Sequence, residues 1–144
     1  MASQFESEHD MVLTGGCQCG AVRYEITAAP LDVYVCHCRE CRKQSASAFG
    51  ISVIVSAKAF VLKQGRVKTW SRPTDSGGVL DCSFWEVCGS RISHTDGREE
   101  TISVKGGSLD DPPDLTSASH IWTQRKLPGV IVPEGAVQWP GEPD

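Results

Sequence analysis

Short runs of alternating apolar and polar residues recur along this chain, separated by turn-forming residues. Residues 21–26, 31–35, 50–56, 60–63, 67–71, 101–105, 118–123 and 129–132 each read as a strand, rich in β-branched and aromatic side chains. Thr14-Gly15-Gly16 reads as a flexible turn leading into Cys17, Ala28-Ala29-Pro30 and Gln64-Gly65 as turns, Pro73 to Gly78 as a loop, and Thr95-Asp96-Gly97 as the tip of a hairpin. No apolar pattern of 3.6-residue period is sustained for about ten residues, so the one helical segment expected is a short turn from Arg39 to Ser45. The fold class that follows is all-β.

Length and charge narrow the picture further. At 144 residues, with 40% hydrophobic and 22% charged positions, the chain has the composition of one ordinary globular domain. Residues 1–11 are expected to be a mobile N-terminal arm, 12–139 a single β domain and 140–144 a C-terminal tail. A net charge of −4 argues against a basic surface for nucleic acid. No apolar run approaches the roughly twenty residues of a membrane helix, and Met1 to Asp10 is polar and acidic, so the cytoplasm is the default compartment.

The cysteines change the picture most. There are seven, an odd number grouped at short spacings, which suits metal ligation better than a disulfide framework. Cys36, Cys38 and Cys41 can be gathered by one ion with little loop-closure cost. A strand running into Cys36 puts Cys36 and Cys38 on one face and turns His37 to the other, where it packs. Three protein ligands leave a fourth position open, the arrangement of a zinc ion that handles substrate. Arg39, Arg42 and Lys43 follow at once; cations there favour thiolates and can receive an anionic substrate. Cys17-x-Cys19-Gly20 and Cys88-Gly89 form two glycine-flanked knuckles, far apart in sequence, of the kind that close a structural zinc. Asp110 and Asp111 precede two prolines and read as turn residues rather than paired catalytic carboxylates.

Taken together, Gly16-Cys17-x-Cys19-Gly20-Ala21-Val22-x-Tyr24, Cys36-His37-Cys38-x-x-Cys41-Arg42, Ser47-Ala48-Phe49, Cys88-Gly89-Ser90 and Gly107-x-Leu109-Asp110-Asp111-Pro112 with His120-Ile121 resemble the glutathione-dependent formaldehyde-activating enzyme family, which includes centromere protein V. The resemblance covers roughly residues 12–126. It implies stacked, twisted antiparallel sheets related to the methionine-R-sulfoxide reductase fold, with two zinc sites. Cys36, Cys38 and Cys41 match the catalytic thiolates, and Cys17, Cys19 and Cys88 match three of four structural ligands. The fourth does not match: Trp85 stands where that family has a cysteine. Cys82 lies three residues earlier, roughly 10 Å along an extended strand, so Trp85 is expected to fill the corner as packing and the structural site to be degraded; the alternative is that a looped Ser83 to Val87 brings Cys82 in as the fourth ligand.

The implied activity is that of a zinc-dependent carbon–sulfur lyase working on a thiol–carbonyl adduct such as S-(hydroxymethyl)glutathione, with a small thiol such as glutathione as partner. The alternative is a non-catalytic, zinc-stabilised binding module.

Overall fold

A computed structural model describes residues 12–74, 77–97 and 100–143; the expected arm over 1–11 lies outside the described residues. Ten strands are present among them: β1 (Leu13–Gly16), β2 (Arg23–Ile26), β3 (Asp32–Cys36), β4 (Gly50–Ser56), β5 (Phe60–Gln64), β6 (Lys68–Pro73), β7 (Val79–Phe84), β8 (Arg91–Thr95), β9 (Thr101–Lys105) and β10 (Ser119–Ile121). They form two sheets, a small one ordered β1-β2-β5 and a large one ordered β10-β3-β4-β9-β8-β7-β6. Helix α1 (Arg39–Ser45) follows β3 directly. The chain is therefore mostly β, as the alternation predicts. One pairing departs from the antiparallel expectation: β10 runs parallel to β3, His120 opposite Val35.

The core lies where the two sheets share apolar faces. Val22, just before β2, and Tyr24 and Ile26 on it cluster with Val53, Val55, Ile92 and Val104 from the large sheet, all essentially inaccessible to solvent. Each such side chain contributes about 1.5–3 kcal/mol on burial, which holds the sheets together. The chain changes sheet after β5 through Gly65, whose φ of +78° and whose approach to the Ala21 carbonyl leave no place for a side chain.

Three local readings are corrected. Thr14-Gly15-Gly16, expected as a flexible turn, is part of β1 and pairs with β2. The expected strand over 129–132 does not form. Pro128 and Pro133 bracket it, Gly129 adopts φ +93°, Val130 N–H closes a turn onto the Leu127 carbonyl, and Ile131 is exposed. The strand expected over 118–123 ends at Ile121, because Trp122 turns into the left-handed region at φ 57°. The segment after Pro133 runs along the outer edge of β10: His120 N–H donates to the Val137 carbonyl and Trp139 N–H to the His120 carbonyl. Trp122 Nε1 also donates to Glu142, so the tail is held at least that far.

His94, on β8, supplies a pH signature. Burial first, then the charges of Lys105 and Arg72, lower its pKa from 6.5 to about 3, and its Nδ1 is buried without a partner. The folded chain thus refuses a proton that the unfolded chain accepts below pH 6.5. Stability from this group is complete above that pH and is lost as pH falls toward 3. At pH 5 the loss is about 2 kcal/mol at most. Urea titrations of chelator-treated protein at pH 7 and pH 5 should show this difference shrink in His94→Gln; an identical difference in the variant would show that another group carries it.

Candidate metal centres and an adjoining groove

The first cluster is built locally. β3 ends on Cys36, and Cys38 caps α1: its backbone is extended (φ −68°, ψ 161°) and its Sγ accepts the Cys41 N–H at 3.3 Å. Cys41 lies on the inner face of α1, so three sulfurs converge within 4.8 Å of one another. Zinc–sulfur bonds of about 2.3 Å put tetrahedral sulfurs just under 4 Å apart, so these residues fit the ion. Cys36 and Cys41 are buried and Cys38 is partly exposed, which orients the cluster outward through Cys38.

Charge in this cluster is already sorted before a metal arrives. Hydrogen bonds from the Cys36 and Cys41 thiols, with the backbone N–H groups of Cys41 and Glu40, pull Cys38 well below the ordinary thiol range. The same contacts with Cys38 and Cys41, together with burial, push Cys36 up. One thiolate sharing protons with two thiols is a nucleus for a soft cation, which displaces the remaining protons as it binds.

His37 points away from the sulfurs, as the alternation predicts. It is fully buried; its Nε2 lies 3.0 Å from His120 Nδ1, and its ring packs against Phe49. This pair ties the segment from Cys36 to Cys38 to β10. Gly50 starts the neighbouring strand because a Cβ there would sit 3.1 Å from the Cys41 Cβ.

The second cluster is assembled across the fold. Cys17, Cys19 and Cys88 also lie with their sulfurs within 4.8 Å, Cys17 and Cys19 being 3.6 Å apart. A turn closed by Trp85 N–H to the Ser90 carbonyl (3.0 Å) and Gly89 N–H to the Trp85 carbonyl (2.8 Å) presents Cys88. Gln18 N–H donates to Ser90 Oγ at 2.9 Å and joins the two knuckles. Ser90 donors lower Cys88 to about 6. Cys82 belongs to neither cluster: it is buried in β7, opposite Trp70 and His94. Trp85 packs against the core.

A groove of about 920 Å³ is lined by Cys17 and Cys88 of the second cluster and reaches Gly50, which backs onto Cys41 of the first. The end of α1 and the residues after it, Gln44 to Ser47 with Phe49, form one wall, and Cys17 with Cys88 to Arg91 another. Its cations are Arg91 and Lys105, neither foreseen from the sequence. Lys105 is half-buried at the end of β9 and feels the charges of Cys41, Cys82 and Cys36; burial lowers its pKa. Arg39, Arg42 and Lys43, expected near the substrate, do not line this groove; Arg39 and Lys43 are exposed on α1 and Arg42 is half-buried. Asp110, at the rim, is bonded to Thr14 and Arg23 and held near 2 by Arg23 first, so it serves as a tie between β1, β2 and the following loop.

Among the described residues no helix is long and apolar enough to cross a membrane. The crystal structure of a Rhodobacter sphaeroides protein is similar in fold, with a TM-score of 0.53 at 21% identity, covering 88% of this chain and 98% of that one. The family model for the glutathione-dependent formaldehyde-activating enzyme matches residues 12–125, which takes in both thiol clusters, α1 and Lys105. With that match spanning most of its length, the chain belongs to the glutathione-dependent formaldehyde-activating enzyme family.

Proposed function

We propose that the chain is a zinc-dependent carbon–sulfur lyase that makes or breaks the adduct of a small anionic thiol, such as glutathione, with an aldehyde such as formaldehyde. The observation that carries this reading is the first cluster: three sulfurs within 4.8 Å, two buried and one partly exposed, with a cation alongside. Zinc bound there would supply the positive charge that keeps an incoming thiol ionised near neutral pH. Three anionic protein ligands make it a weak Lewis acid, so the chemistry suits thiol activation better than carbonyl polarisation.

The chain's own residues then bind and orient. Lys105 and Arg91 offer positive charge to the carboxylates of the thiol along the groove. In the forward direction the substrate sulfur attacks the carbonyl carbon, a C–S bond forms, the C=O π pair moves to oxygen, and that oxygen takes a proton. Lysis is the reverse.

Two-dimensional NMR exchange on glutathione and formaldehyde tests the reading. Catalytic amounts of zinc-loaded protein should accelerate interconversion of free and hydroxymethylated glutathione; an unchanged rate favours a binding module without turnover. Lys105→Met should raise KM for glutathione about tenfold, the worth of one charge-assisted hydrogen bond, and leave a neutral thiol such as 2-mercaptoethanol little affected. Equal losses for both thiols would remove Lys105 from substrate recognition.

A further inference from the structure

The second cluster differs from a closed structural centre in what surrounds it. Cys17, Cys19 and Cys88 supply three sulfurs, and no other Cys, His, Asp or Glu joins that group among the described residues. Trp85 enters the same turn but cannot be the fourth donor. Its ring packs against the core, its Nε1 is buried, and an indole N–H has no lone pair to offer. Cys82 is 1% exposed, within the β7 ladder and outside the group. Ser90 Oγ lies 3.3 Å from Cys88 Sγ, yet it already accepts the Gln18 N–H, and a neutral hydroxyl is a poor ligand for a soft ion.

The corner left open is accessible. Cys17 and Cys88 both line the groove, whereas Cys36, Cys38 and Cys41 do not, and Cys19 is exposed. Arg91 and Lys105 give the groove positive charge, and the one carboxylate that lines it among the described residues, Asp110, is taken up by Arg23. A ligand that is both soft and anionic matches an open three-sulfur corner in such surroundings.

We propose that Cys17, Cys19 and Cys88 hold a metal ion through three thiolates and complete its coordination with a thiolate taken from solution, so that this cluster is a second binding position for small anionic thiols. Binding is ligand exchange: the thiol gives its proton to solvent, a sulfur–metal bond forms, and nothing is oxidised or reduced. The inference does not depend on turnover at the first cluster.

Cadmium-113 NMR on the full chain, prepared with a phosphine reductant and no thiol, reads the donor set of both clusters at once. The resonance of the second cluster is the one lost in Cys19→Ser, a change at an exposed side chain. In the parent it should appear in the three-sulfur range and move to the four-sulfur range when glutathione is added. Three results would overturn the proposal: no such resonance, a four-sulfur position before any thiol is added, or a three-sulfur position that glutathione does not move. Trp85→Cys should place the resonance in the four-sulfur range from the start and make it insensitive to glutathione. The first cluster's own resonance is a separate readout, since its response bears on the proposed lyase reaction and not on this site.

Discussion

Cys38→Ser is expected to remove one zinc per chain and reduce turnover by at least about a hundredfold while leaving the fold in place. Serine is among the best residues at a helix N-cap, so α1 keeps the side-chain acceptor that Cys38 now offers to the Cys41 N–H. What the substitution removes is the thiolate. Cys38 is the sulfur that Cys36 and Cys41 stabilise as an anion, and a hydroxyl near neutral pH supplies neither that charge nor a soft donor. The surrounding strands have their own support: β3 is paired on both sides, by β4 and β10, and His37 stays bonded to His120. Metal content, the NMR exchange assay and a urea titration together decide the matter. Zinc loss accompanied by unfolding at room temperature would mean that the first cluster holds the fold, and would reverse the roles given to the two clusters.

The first cluster was legible in the sequence because everything that builds it is local. Cys36, Cys38 and Cys41 sit within six residues, and the strand-to-helix transition that converges them is written in alternation followed by a cap. The second cluster was legible only as two glycine-flanked knuckles, since the contact between Gln18 and Ser90 that joins them spans 72 residues, half of the chain. Lys105 carried no signal. It reaches the site through register, with Ser52 of β4 opposite Lys105 of β9, and a single cation at the end of a strand has no characteristic spacing. The misread strand over 129–132 fails for the converse reason: its residues favour extended structure, but the flanking prolines and Gly129 leave it without a partner strand. β1 was misread because Gly15-Gly16 suggests mobility. Those glycines are there to let other groups come close.

Gly15→Ala is therefore expected to destabilise the chain by about 2–4 kcal/mol, combining overpacking of the core with loss of a buried hydrogen bond. Gly15 faces Tyr24 in the β1–β2 ladder and bridges to Leu109. A Cβ there would fall on the Tyr24 phenol and 2.6 Å from the Ser108 carbonyl oxygen, neither of which is the end of a flexible chain. Tyr24 is 1% exposed, stacks near Phe60 and meets Ser108 Oγ at 2.6 Å, so moving it opens the core and breaks that bond together. The strain also runs outward, because β1 delivers Cys17 to the second cluster while Thr14 and Arg23 hold Asp110 beside the groove. Metal at the second cluster should thus be lost to a chelator sooner than metal at the first. A double-mutant cycle isolates the cause. In a Tyr24→Ala background the phenol is gone, and Gly15→Ala should cost less than half of what it costs in the parent. An undiminished cost would show that the clash with the Ser108 backbone, and not with Tyr24, is what requires glycine at position 15.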